Sequence, residues 1–271
     1  MQTTSKIFII LSAILLCHFL AGEKTFAQGL RTLENTAFQR GEKISYRVFY
    51  DSYLTGNVHA GSASLEIKDN NEVVGGRNTM NVVGLGNTQG AFNFFFRVVN
   101  RYETYIDDQA IVPLLFIRRI NEGGYRKSQD VMFDQRNNIA YSNTDTVPVV
   151  ENVQDIISAF YYLRTYNYDD AEVGDVYDVN FFLDDTVYVS RVVFDGRERV
   201  HTRIGTFNTL RFRPQVLEGE VFSQPYPMTL WISDDENKIP VLAQSGIVVG
   251  SVKMELTNYE GLKNPMTSRV D

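Results

Sequence analysis

Residues 152–164 read Asn-Val-Gln-Asp-Ile-Ile-Ser-Ala-Phe-Tyr-Tyr-Leu-Arg, and they interrupt a chain that otherwise alternates like β-structure from end to end. Val153, Ile156, Ile157, Phe160 and Leu163 recur at helical spacing, a stripe wide enough to be buried. Asn152 is placed to cap the first turn, with Asp155 three residues on in a capping-box-like arrangement, and Arg164 suits the negative end of a helix. The stretch predicts one amphipathic helix over about 152–166. A lone helix among strands usually plugs or braces a curved sheet.

Outward from that helix the period is two. Ile44, Tyr46, Val48 and Tyr50 alternate with Ser45 and Arg47, and Ala63, Leu65 and Ile67 stand opposite Ser62, Ser64 and Glu66. Further strands are expected over 77–86, 92–107, 112–122, 125–134 and 139–142, with turns at Asp69-Asn70-Asn71, Gly123-Gly124 and 134–138. Beyond the helix the pattern resumes over 174–183, 186–195, 199–204, 207–216, 226–233, 241–244 and 247–259. These are consecutive hairpins, so the expected fold is all-β: a strongly curved antiparallel sheet or open barrel with the helix packed on it. No linker separates the halves, so 28–259 reads as one domain, and the polar tail 260–271 is expected to fray.

The first 27 residues read as a secretory signal peptide. Lys6 supplies the positive start, 7–21 is an apolar run too short to favour a membrane span, and Thr25-Phe26-Ala27 places small residues for cleavage before Gln28. Lipidation of Cys17 is disfavoured because Leu16 precedes it and the apolar run continues through Leu20. No later segment is apolar for long enough to cross a bilayer as a helix. The expected location is the periplasm. Removing the leader takes Lys6, Lys24 and Glu23 from 26 basic and 33 acidic residues, leaving 24 and 32 and a net charge of −8. That balance argues against nucleic acid and against electrostatic adhesion to anionic lipid. The mature chain has no cysteine, which excludes disulfides, thiolate nucleophiles and cysteine metal sites.

Aspartate pairs occur at 107–108, 169–170, 184–185 and 234–235, each where a strand or helix is expected to end. Carboxylate pairs serve glycosidases, but adjacent aspartates in a strand point to opposite faces, and aspartate closes turns. The mature histidines, His59 and His201, lie in strand patterns without H-E-x-x-H, G-x-S-x-G or S-x-x-K frames. Neither a metal nor a cofactor is called for. The glycine-rich 84–90 lacks a P-loop lysine. The aromatic cluster Phe92, Phe94, Phe95 and Phe96, with Tyr161, Tyr162 and Trp231, either fills a large β core or lines an apolar cavity. The residues expected at such a cavity, beneath the helix, are Phe94, Phe96, Phe160, Tyr161 and Trp231.

Three features together resemble the exported bacterial family known as domain of unknown function 3108. They are Phe38-x-x-Gly41-Glu42 before a strand with Tyr46, the 155–164 helix, and Leu230-Trp231-Ile232-Ser233-Asp234-Asp235 followed by Ile239-Pro240-Val241 and Gly250-Ser251-Val252-Lys253. The resemblance spans about 38–259. It implies an exported β-rich fold similar to the half-barrels that carry lipoproteins or lipids, and it brings no catalytic residues. The function expected is a non-enzymatic binding module for an apolar or amphiphilic ligand such as a lipid, or an envelope-maintenance factor with envelope proteins as partners. The alternative is a carboxylate-dependent hydrolase acting on envelope glycans. Asp155 and Arg164 are expected to anchor the helix, and Trp231 to receive it in the core.

Overall fold

A computed structural model describes residues 29–53, 56–215, 227–247 and 250–271. The expected leader lies outside the described residues. Among the described residues, fifteen strands make one antiparallel sheet: β1 (Lys43–Ser52), β2 (Gly56–Ile67), β3 (Glu72–Val74), β4 (Arg77–Thr88), β5 (Val99–Asp107), β6 (Pro113–Glu122), β7 (Tyr125–Asp134), β8 (Ile139–Ser142), β9 (Thr146–Pro148), β10 (Val176–Leu183), β11 (Thr186–Thr202), β12 (Gly205–Pro214), β13 (Met228–Ser233), β14 (Pro240–Gly246) and β15 (Ser251–Glu260). The order is β10-β11-β12-β13-β14-β15-β1-β2-β4-β5-β6-β7-β8-β9, with β3 paired to β4 off this path. The β1–β15 pairing therefore joins two meanders. The sheet does not close into a barrel. Its seam, between β9 and β10, is spanned by the chain before the helix: Phe182 N–H donates to Gln154 O at 2.7 Å and Gln154 N–H to Asn180 O at 2.9 Å.

Register fixes which side chains share the covered face. Tyr46 pairs with Ala63, Ala63 with Gly86 and Gly86 with Asn100; one row over, Leu65, Gly84, Tyr102 and Arg118 are successive partners. A Cβ placed on Gly84 would stand 3.4 Å from Ile157 Cδ1, so the helical segment lies on this face. Val82, Thr104, Phe116 and Val131 continue it.

The helix itself is shorter than its periodicity suggests. α2 (Ser158–Leu163) has six residues, and Asn152 is a turn residue at φ 57 rather than a cap. The cap is Asp155. Its Oδ1 accepts the N–H groups of Ile157 at 2.7 Å and Ser158 at 2.8 Å, and Asp155 N–H donates to Ser158 Oγ at 2.8 Å, a reciprocal pair displaced three residues from the expected one. The apolar stripe faces the core all the same, Val153 buried and Ile156, Ile157, Phe160 and Leu163 partly buried, though only part of it is helical. Val153, Ile156 and Ile157 meet Phe116, Phe133 and Phe182; Phe160 and Tyr161 meet Phe38, Ile67 and Val82; Leu163 meets Phe194, Phe212 and Ile232.

Two further differences follow from partners distant in sequence. The run expected as a strand over 92–107 begins as a one-turn helix, α1 (Phe92–Phe95), before β5. The tail expected to fray is tied back. Asn208 N–H donates to Ser268 O at 2.8 Å and Val270 N–H to Thr206 O at 2.9 Å, while Leu262 and Met266 pack on the cluster of Ile44, Phe207 and Leu256.

Arg164 holds the helix from its far end. The side chain is 1% exposed and Glu42, its partner, is 0% exposed. Nη1 and Nη2 donate to the two Glu42 oxygens at 2.6 and 2.7 Å, Nε to Asn237 O at 2.9 Å and Nη2 also to Ala37 O at 3.2 Å. Burial alone would lower the Arg164 pKa, but the Glu42 carboxylate more than offsets this and holds it raised. The pair joins the N-terminal segment, the helix and the β13–β14 turn in one place.

Candidate functional site: an apolar mouth on the covered face

Beneath the helix the space is filled. The void bounded by Phe160, Leu163, Tyr168, Leu230 and Ile232 holds about 30 Å³, room for a water and no more. The helix and the N-terminal segment cover only part of the face, however. Towards the end where β1 stops and β2 begins, the wall continues as an open groove of about 370 Å³. Val48 and Tyr50 on β1, Ala63 on β2, Gly86 on β4 and Val252 on β15 line it, with Phe92, Phe96 and Val98 closing the rim. Its exposed surface is almost wholly apolar, and its volume lies within the range of small-molecule pockets.

Local sequence explains the hollow. The residues of this row are small where β2 and β4 cross it, Ala63 beside Gly86, and a Cβ on Gly86 would meet nothing within 4 Å. Tyr50 and Phe92 hold the rim, their rings 5.6 Å apart. Phe96 packs on the β6–β7 turn, where Gly123, at φ 53, has no Cβ to collide with the ring.

On the β5–β7 side the same face becomes polar. Asn100, paired with Gly86, donates to Glu122, and Arg118 and Lys127 share the Asp184 carboxylate from the β10–β11 turn. Burial would push Asp184 up, but Lys127 and Arg118 hold it below the ordinary carboxylate range. Arg118 is buried, and its Nε has no partner among the described residues.

The structure does not bring the five expected cavity residues together. Phe96 lines the groove. Phe94 stands outside its rim on α1, 90% exposed. Tyr161 is fully buried against Phe38, and Phe160 packs beside it. Trp231 does not receive the helix. Leu230 and Ile232 on either side of it meet Leu163 and Tyr168, whereas Trp231 joins the cluster of Val200, Phe207 and Leu242 and donates from Nε1 to Glu198. The residues missed, Val48, Tyr50, Ala63, Gly86 and Val252, sit on four strands. The run of small residues from Ala60 to Ser64 on β2, with Gly86 opposite Ala63 on β4, is the sequence signal of a hollow.

The carboxylate pairs serve turns. Asp184 and Asp185 form the β10–β11 turn at φ 51 and 59. Asp107 accepts from Arg77 and from the N–H groups of Gln109 and Ala110, and Asp108 pairs with Arg40. Asp235 accepts from Asn237 N–H at 3.0 Å and Ser233 Oγ at 2.9 Å. Asp234 differs. It lines a polar hollow of about 330 Å³ with Tyr166, Tyr168 and Asp169, its pKa raised by burial and then by Asp169 and Asp235 despite Arg197 at 3.7 Å. A larger hollow of about 400 Å³, at the strand ends remote from the apolar groove, is lined by Arg77, Arg136 and Asp134, the last engaged with Arg136 and Asn137 in its own turn. His59 meets the Phe49 ring and His201 Nδ1 lies 2.9 Å from Thr206 Oγ1. Among the described residues, no group of histidine, aspartate and glutamate side chains is arranged to hold a metal ion, and no helix is long and apolar enough to cross a membrane.

Comparison with known proteins places the fold but supplies no activity. A family described as protein of unknown function, DUF3108, matches residues 45–257. No curated protein matches the chain. Among solved structures, a beta-barrel-like protein of domain of unknown function DUF1849 from Brucella abortus aligns with a TM-score of 0.53 at 10% identity, covering 83% of this chain and 99% of that one. A protein described as a candidate lipoprotein from Parabacteroides distasonis has a TM-score of 0.31 at 10% identity, covering 86% and 100%. A candidate exported protein with a YmcC-like fold from Bacteroides fragilis has a TM-score of 0.31 at 12% identity, also covering 86% and 100%.

Proposed function

The chain belongs to the DUF3108 family of proteins of unknown function, and we propose from its own geometry that it is a non-enzymatic binding module for an apolar chain carried by an amphiphile. The observation that carries this is the groove at Val48, Ala63, Gly86 and Val252, an apolar hollow left open on a face that is otherwise packed. An alkyl chain in such a groove is stabilised by roughly 25 cal/mol for each Å² of apolar surface removed from water. The polar wall of Asn100, Arg118 and Lys127 suits the headgroup of the same molecule.

The test uses cis-parinaric acid, whose fluorescence rises when its chain leaves water. Native protein is expected to bind it, and Gly86→Leu to bind at least about tenfold more weakly because the new side chain occupies the groove. The strand does not hold Gly86 in a left-handed conformation and a Cβ meets nothing there, so Gly86→Leu is expected to melt no lower than native. Equal affinity in the two proteins, or none in the native one, defeats the proposal.

We further propose that residues 1–27 direct export to the periplasm and that the mature chain begins at Gln28, on the composition of that leader. Terminal sequencing of protein recovered from a periplasmic extract checks this; an uncleaved Met1, or a chain beginning at a lipidated Cys17, refutes it. A hydrolase acting on envelope glycans is the second reading, and Asp234 is the observation that favours it. Sugar release from cell-wall fragments that Asp234→Asn abolishes would replace the binding module with that enzyme.

A further inference from the structure

The exposed aromatic side chains of the described residues are gathered at one end of the molecule. Tyr53 lies at the β1–β2 turn, Phe94 and Phe95 on α1, Phe96 beside them and Tyr125 at the start of β7; only Tyr141 lies elsewhere. These loops touch. Gly123 N–H donates to Arg97 O at 2.9 Å, and the Phe92 ring lies on Tyr50. Phe92 and Phe96 line the groove, whereas Phe94 and Phe95, 90% and 82% exposed, meet edge to face and project into solvent. Two adjacent phenylalanines held out in water by one turn of helix are costly to keep in a purely soluble protein.

Charge says what covers them. The chain carries a net −7, yet the loop that holds the phenylalanines, 89–102, contains Arg97 and Arg101 and no aspartate or glutamate; the carboxylates of the neighbouring turns are Asp51 at the end of β1 and Glu122 at the end of β6, the latter engaged by Asn100. Exposed phenylalanines flanked by arginine, with no carboxylate in their own loop, are the composition of a protein edge that meets lipid headgroups. We propose that this end of the sheet docks on a lipid bilayer, Phe94 and Phe95 entering the interface, so that an acyl chain passes between membrane and groove without crossing water. The inference rests on the groove taking an apolar chain.

Flotation with phosphatidylcholine vesicles tests it. The native mature protein is expected to float with the vesicles, and Phe94→Ser/Phe95→Ser to partition at least about tenfold less, as expected for withdrawing two phenyl groups from an apolar phase. That variant is expected to bind cis-parinaric acid in solution as the native protein does. Native protein that binds the probe but does not float overturns the docking and leaves the groove standing. Equal flotation of the two proteins also overturns it, as does a native dimer in the ultracentrifuge that the double substitution converts to monomer. Phenylalanine-dependent flotation without probe binding leaves the docking standing and removes the groove.

Discussion

Replacing Arg164 by methionine is expected to destabilise the protein by about 3–5 kcal/mol, the scale for breaking a fully buried ion pair by removing one partner. Methionine fills much of the space, so the loss is electrostatic rather than a cavity. Glu42 is left without its cation where no water reaches, and the carbonyls of Ala37 and Asn237 lose their donor. Lysine is no substitute, because the site uses the planar fork of the guanidinium, with Phe38, Phe160 and Tyr161 rings within 5.5 Å of it. The double variant Glu42→Met/Arg164→Met removes both charges and is expected to be more stable than either single variant. Urea denaturation of the four proteins measures this coupling. If the two single losses simply add in the double variant, the ions do not stabilise one another and the pair is not what holds the helix to the N-terminal segment.

That ion pair also marks where sequence stops being informative. The alternation of Ile44, Tyr46 and Val48 and the regular turns make an antiparallel sheet legible, because period two follows from the pleat alone. The stripe from Val153 to Leu163 is legible as a buried face, yet its conformation is not. Gln154 pairs with the edge of β10, a contact fixed by the seam of the sheet rather than by local propensity, so the helix begins only at Ser158 and not just after Asn152. Glu42 and Arg164 each look like surface residues until the fold places them together across 122 positions. The groove is less legible still. Its walls come from β1, β2, β4 and β15, and the aromatic residues that draw the eye, Tyr161 and Trp231, are committed to the core cluster and to Glu198. An empty volume has no periodicity, so only the small residues from Ala60 to Ser64, with Gly86, record it.

Asp155 is expected to make stability depend on pH in a direction opposite to most carboxylates. It is fully buried, and burial pushes its pKa up to about 6, against the hydrogen bonds from Thr104, Ser158 and Ile157 that favour its ionised form. A carboxyl whose pKa is higher in the fold than in the unfolded chain binds its proton more tightly when folded. Its contribution is therefore fully present below the unfolded value of 3.8 and is lost as pH rises through about 6. Asp155→Ala is expected to cost about 3 kcal/mol at pH 5, since the cap is lost and the Thr104 hydroxyl and two N–H groups are stranded. Asp155→Asn keeps an acceptor for Ile157 and Ser158 and removes the titration. Its stability relative to native protein is expected to improve by about 2 kcal/mol between pH 4 and pH 8. The comparison cancels carboxylates held below their ordinary range, such as Asp107 and Asp134, because both proteins carry them. A difference that stays constant across that range would mean Asp155 is ionised throughout, its cap hydrogen bonds outweighing burial.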